Sequence, residues 1–343
     1  MSLLQYLEAP RFRRRSVTSS AAESSLTTVP WFTAPLPPLA DGLPPWPGRE
    51  IDLGDVVVHV RETPGPTAGA PRAVFVHGLG GAATNWTELA AQLAHNVHGI
   101  AIDLPGFGRS RPPASGDFSL AGQADIVCRV IDRLGSGPVH LFGNSLGGDI
   151  ALLVAAERPE LVRTLTLVSP AVPDLRPSPS RISDPRMALA SVPLIGRRMR
   201  RKLAAATARE RTEQMLRVCF AVPDAVSEPR LALAVAETEE RMAQPWAGFA
   251  LHGASREMLR AWVVPPARSL WTVIRRVPAP TLVIWGSQDR VMSVRKAPRV
   301  ASLLSRGRLL VLPRTGHVAQ MERPTTVARA VLGMWQAVAA AQW

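Results

Sequence analysis

Short β-branched runs alternate with helix-length stretches in this 343-residue chain, and that alternation constrains its fold more than any other feature. Val56-Val57-Val58-His59-Val60, Ala73-Val74-Phe75-Val76, Gly99-Ile100-Ala101-Ile102, Val139-His140-Leu141-Phe142 and Leu165-Thr166-Leu167-Val168 read as strands. Helical patterns at about 86–94, 120–134 and 146–157 separate the later ones. A strand that leads through a helix into another strand closes as a right-handed crossover, so the pattern predicts a largely parallel sheet with helices against it. The alternation stops near Val172. It resumes at Thr281-Leu282-Val283-Ile284-Trp285, continues in Leu309-Leu310-Val311-Leu312 and ends in a helix at about 325–341.

Two segments break the pattern. Residues 1–48 hold eight of the 32 prolines, including Ala34-Pro35-Leu36-Pro37-Pro38 and Pro44-Pro45-Trp46-Pro47. Proline removes a backbone donor and fixes φ, so this density predicts a mostly extended arm. Leu3, Leu4 and Leu7 ahead of Arg11-Phe12-Arg13-Arg14-Arg15 could form a short basic amphipathic helix that touches an anionic membrane. A loose terminus is the more ordinary reading. The order of those residues does not fit a secretory signal, and the default residence is the cytoplasm, with peripheral membrane contact as the minor alternative. The second segment, about 172–276, reads as helical and as an insertion. Within 171–276 there are 18 Lys/Arg and 10 Asp/Glu, so +8 of the formal +13 lies there. Two cysteines, Cys128 and Cys219, are too few for a disulfide framework or a cysteine-based zinc site.

Gly143-Asn144-Ser145-Leu146-Gly147-Gly148 follows a strand and opens an Ala/Leu-rich helix, the setting in which a sharp turn exposes a serine hydroxyl at a helix N-terminus. A free hydroxyl is a poor nucleophile and needs a base. His317, in Arg314-Thr315-Gly316-His317, follows the last apolar strand and is the best of seven histidines. His59 and His140 fall inside strands, where packing explains them; His95, His98 and His252 lack supporting context. Asp289, in Trp285-Gly286-Ser287-Gln288-Asp289, is the candidate to orient the imidazole, ahead of Asp174. Capping the next helix is the bland alternative for Asp289. Oxyanion stabilisation needs preorganised N–H donors. Leu146 follows the nucleophile, and Leu79 lies in His77-Gly78-Leu79-Gly80-Gly81, directly after a strand.

With Asp103-Leu104-Pro105-Gly106-Phe107-Gly108-Arg109-Ser110, these motifs make residues 49–343 resemble the α/β-hydrolase fold group of serine esterases, lipases and C–C hydrolases. The resemblance implies a mostly parallel eight-stranded sheet with helices on both faces, built from 49–171 and 277–343. It also implies that 172–276 is a helical cap over the site, and that the loop starting at Asp103 is structural. No cofactor and no metal are implied. A serine at the elbow argues against epoxide hydrolases and haloalkane dehalogenases, which use aspartate there. The single tyrosine, Tyr6, leaves the cap without the tyrosines that an epoxide hydrolase needs.

The expected activity is cleavage of a carboxylic ester or thioester of a small-molecule acyl substrate through an acyl-enzyme. Asn144 beside Ser145 resembles the meta-cleavage-product C–C hydrolases, but Val318 stands after His317 where that group carries tryptophan. A non-catalytic binding protein on the same fold is the reading from another class. Nucleic acid is not an expected partner: Arg197-Arg198-Met199-Arg200-Arg201-Lys202 lacks interleaved aromatics and reads as a solvated face. Met187, Leu189, Leu194, Ile195, Met199, Met215, Leu216 and Phe220 are expected to pack the cap onto the site. Trp86 fits either a pocket wall or the core.

Overall fold

Eight strands form one sheet in the computed structural model, which describes residues 29–135, 137–174 and 206–343. The leucine- and arginine-rich start of the arm lies outside the described residues, as do the basic run 197–202 and Met187, Leu189, Leu194, Ile195 and Met199. The strands are β1 (Gly48–Asp52), β2 (Val57–Thr63), β3 (Arg72–Val76), β4 (His98–Ile102), β5 (Val139–Asn144), β6 (Val162–Val168), β7 (Thr281–Gly286) and β8 (Gly307–Leu312). Their order is β1-β2-β4-β3-β5-β6-β7-β8, and β2 alone runs against the others. The chain steps from β3 to β4 on one side and then to β5 on the other. That reversal opens a crevice beyond the C-terminal ends of β3 and β5, where ligands bind in open parallel sheets.

The side-chain period of two sorts each strand between two cores. Val74, Val76, Leu141 and Val283 face the helices α2 (Leu120–Leu134), α3 (Leu146–Glu157), α7 (Leu270–Ile274) and α8 (Ala297–Leu303). Phe75, Phe142, Leu282 and Ile284 face α1 (Thr87–Leu93) and α10 (Pro324–Ala339). Burial on both faces is why these strands read as continuous apolar runs. Trp86 belongs to the second core: it is fully buried, 5.4 Å from the Phe75 ring and 6.2 Å from Phe142.

The described part of the arm has no helix or strand ahead of β1, and it is packed. Val29, Phe32, Leu36 and Trp46 lie on the core built by α1 and α10. Arg329 donates to the Phe32 and Ala34 carbonyls, Gln92 to Pro37, and Trp46 Nε1 to Thr87. Strand β1 gave no strand signal in the sequence because Gly48-Arg49-Glu50 is exposed and polar; pairing with β2 makes it a strand.

The strand histidines are structural, as expected. His140 Nδ1 meets Thr164 Oγ1 at 2.8 Å, and its ring lies 4.1 Å from Trp335. Burial, followed by the nearby Arg163 charge, pushes its pKa down to about 3. The unfolded chain, at an ordinary histidine value near 6.5, binds that proton more readily. Stability is therefore expected to fall as pH drops from about 6.5 towards 3, and urea midpoints for His140→Leu should show a shallower fall. Equal pH slopes in both proteins would contradict this.

Candidate active site

Ser145 is the one residue between β5 and α3, and its backbone has φ 54° and ψ −120°. A non-glycine residue in this region costs about 1–3 kcal/mol and persists only where its surroundings over-determine it. Here they do: Ser145 N–H donates to Val168 O at 3.0 Å, and Ser145 O accepts from Gly148 and Ala171. A Cβ on Gly147 would run into the carbonyl oxygens of Val76 and His77, so the first turn of α3 lies against the end of β3. Ser145 is 6% exposed.

His317 sits in the loop between β8 and α9 (Ala319–Glu322), and its Nδ1 meets Asp289 Oδ2 at 2.9 Å. The Asp289 side chain is fully buried, and its Oδ1 accepts from the Val291 and Met292 N–H groups at 2.8 Å each. Burial opposes ionisation, yet the His317 charge and hydrogen bond and the Met292 N–H outweigh it and hold the carboxyl below its ordinary range. Asp174, the rival at sequence level, lies 3.9 Å from Lys296 Nζ instead. Asn144 explains how the two loops register: its Nδ2 donates to Val168 O and His317 O at 3.0 and 3.2 Å.

The loop after β3 is built around His77. Its Nε2 accepts the Leu104 N–H at 3.0 Å, so Nδ1 carries the proton and donates to Gly78 O at 2.7 Å. Complete burial lowers its pKa, which suits this neutral tautomer. Gly78 O also accepts from Gly81 N–H. Because the peptide is planar and trans, fixing the Gly78 carbonyl turns the Leu79 N–H the opposite way. A Cβ on Gly78 would stand 3.0 Å from Ser145 Cβ, so this loop closes directly on the elbow. The Leu146 N–H, first in α3, has no acceptor within its own helix. Asp103 ties the scaffold together through His59 Nδ1, Ala83 N–H and Arg109 N–H, a structural use that matches the sequence reading.

The segment between β6 and β7 supplies contacts that the sequence reading missed. Its described helices are α4 (Ala208–Cys219), α5 (Glu228–Met242) and α6 (Ala247–Trp262), followed by α7. The Cys219 carbonyl accepts the His317 N–H at 2.6 Å, and Arg290 beside Asp289 donates to Arg217 O. Burial pushes the Cys219 thiol up to about 12, so only its backbone serves the site. From α5, Arg241 donates to Gly80 O and Glu237 accepts from Thr84 Oγ1 at 2.5 Å. These arginine and glutamate side chains carried no motif; contact between elements more than 150 residues apart is their only signal. Leu216 and Phe220 are buried against Val318, as expected. Met215 instead stands 36% exposed and lines a cavity of about 490 Å³ with Gly80, Phe107, Arg211, Arg241, Met242, Trp246 and Leu251. The cavity adjoins the loop after β3; Ser145 and His317 are not among its walls.

This sheet, with a strained serine after β5 and a histidine–aspartate pair after β8 and β7, defines a hydrolase class. The chain belongs to the alpha/beta hydrolase fold family, whose sequence profile matches residues 71–324. Monoacylglycerol lipase abhd6-B of Xenopus laevis is 29% identical over 272 residues, 77% of this chain and 75% of that protein. The 2-hydroxy-6-oxo-6-phenylhexa-2,4-dienoate hydrolase of Comamonas testosteroni is 29% identical over 279 residues, 80% of this chain and 89% of that protein. Among solved structures, a bacterial membrane phospholipase A aligns at 26% identity with a TM-score of 0.70, covering 87% of this chain and 88% of that one. The protein is an enzyme, a serine hydrolase of the α/β fold.

Proposed function

We propose that the protein cleaves a carboxylic ester through an acyl-enzyme, with Ser145 as nucleophile, His317 as general base and acid, and Asp289 as the group that orients His317. One observation carries the reading: the only residue between β5 and α3 is a serine held at φ 54°, beside a loop whose histidine is already bound by a fully buried aspartate. Asp289 accepts from Nδ1, which leaves His317 Nε2 free of the proton and able to take it from the Ser145 hydroxyl as that oxygen attacks the carbonyl carbon. The N–H groups of Leu79 and Leu146 stabilise the oxyanion. His317 then protonates the leaving alcohol, and water attacks the acyl-enzyme by the same steps in reverse roles.

Residues 172–276 act in this reading as the cap, since α4 and α5 grip the loops that carry His317 and Leu79. The cavity of about 490 Å³ between those helices and Gly80 is mostly apolar in its lining and would receive an acyl chain. Relatives named as a monoacylglycerol lipase and a phospholipase support the ester; the thioester is a chemical neighbour. C–C cleavage draws support from the Comamonas relative. Against it, Asn144 spends its amide nitrogen on Val168 and His317, and Val318 packs with Leu216 and Phe220.

The test is hydrolysis of p-nitrophenyl esters from acetate to palmitate by the wild type and by Ser145→Ala. The wild type should turn over the series with a preference that reports cavity length. The variant should lose about 10⁴-fold or more in kcat while keeping its unfolding midpoint. A folded wild type that is inert across the series, yet cleaves a dienoic-acid C–C bond, would replace the ester reading.

A further inference from the structure

Helix α6 carries a stripe at alternating spacings of three and four: Phe249, His252, Arg256, Leu259 and Val263, the last just past its end. Such spacing marks one face of a helix, and in a globular protein that face is normally the buried one. Here all five residues are exposed, with Phe249 at 62%, Leu259 at 54% and Val263 at 68%. The core side of α6 is made instead by the small residues Ala250, Gly253 and Ala254, and by Trp262, whose Nε1 donates to Ala171 O at 2.8 Å. Leu251, at the N-terminal end of the same helix, is 44% exposed and lines the cavity beside Gly80. Scattered exposed apolar residues are ordinary; an exposed stripe on a helix that also lines a cavity is not.

Charge selects the partner. Residues 247–276 contain five arginines (Arg256, Arg260, Arg268, Arg275 and Arg276) against one acid, Glu257, so +4 of the chain's +13 falls in thirty residues. Glu257 turns inward, its side chain 17% exposed, and pairs with Arg256 and Arg260, which remain 56% and 65% exposed. We propose that the outer face of α6 docks on an anionic lipid bilayer, Phe249, Leu259 and Val263 entering the headgroup boundary and Arg256 and Arg260 meeting lipid phosphates. Apolar side chains on a basic face are the composition of helices that lie in a membrane interface. The docking inferred for α6 is a peripheral one; no helix among the described residues is long and apolar enough to cross a membrane. Such docking also brings the cavity that Leu251 lines near the surface that holds acyl esters, a consequence that rests on the function proposed above; the docking itself does not.

The test is co-sedimentation of the full chain with sucrose-loaded vesicles of phosphatidylcholine, with and without about 30 mol% phosphatidylglycerol. Wild type and Ser145→Ala should bind the anionic vesicles alike, and binding should weaken in high salt. Phe249→Ser/Leu259→Ser/Val263→Ser should cut partitioning by about 10-fold or more, since three apolar side chains lose their burial. Arg256→Gln/Arg260→Gln should reduce the preference for anionic over neutral vesicles. Val263→Asp, beyond the helix end, repeats the test should the triple variant unfold. Wild-type protein left in the supernatant, or variants that bind as well as wild type, would overturn the proposal. So would a wild-type dimer that the triple variant abolishes, since the stripe would then serve a second copy of the chain.

Discussion

Asp289→Asn should lower kcat on a p-nitrophenyl ester by roughly 10⁴-fold while KM and the unfolding midpoint hardly change. Asparagine has the same shape, and its Oδ1 can still accept from Val291 and Met292, so the turn survives. What changes is the atom facing His317. An amide Nδ2 donates, where Asp289 Oδ2 accepts from Nδ1 at 2.9 Å. The imidazole answers by moving its proton to Nε2, and a protonated Nε2 cannot take the Ser145 proton. Asp174→Asn is the matched control: Asp174 faces Lys296, so activity should stay within a few-fold. Stopped assays on both variants decide the matter, and more than a tenth of wild-type kcat in Asp289→Asn would end this assignment.

Gly147→Ala should destabilise the protein by about 3 kcal/mol. The added Cβ has no flexible side chain to displace. It meets the main-chain oxygens of Val76 and His77, so either α3 lifts from β3 or the elbow unwinds. Both motions also part Ser145 from Gly78, so residual folded protein should be nearly inactive. Gly248→Ala is the contrast, because a Cβ there meets nothing within 4 Å. In a helix that replacement should be neutral or stabilising by up to about 1 kcal/mol. Urea titrations measure both. A Gly147→Ala protein within 1 kcal/mol of wild type would mean that the contact between α3 and β3 yields readily.

The parallel sheet was legible because strands buried on both faces are largely apolar, and β3 and β7 show this as the runs Ala73–Val76 and Leu282–Trp285. Strand β1 was not, since an exposed edge strand needs no apolar signature. The elbow was legible because a non-glycine residue at positive φ needs glycines where the backbone closes in, and Gly143 and Gly147 stand beside Ser145. The glycine-rich loop around Leu79 was legible after its strand, but the task of His77 within it required the Leu104 N–H to come from another loop.

The sequence by itself determined the alternation of strands and helices and the elbow at Ser145, because these depend on neighbours along the chain. The sequence ranked Asp289 ahead of Asp174, and both follow strands; packing is what puts the first on His317 and the second near Lys296. Tertiary structure alone brought Arg241 to Gly80 and Cys219 to His317, contacts between residues far apart in the chain. It also decided which way α6 faces. The spacing of Phe249, Leu259 and Val263 defines a face of a helix, but a period has no inside or outside until another surface covers one of its faces, and here the Gly106 loop and the Phe118 ring took the side of Ala250 and Gly253.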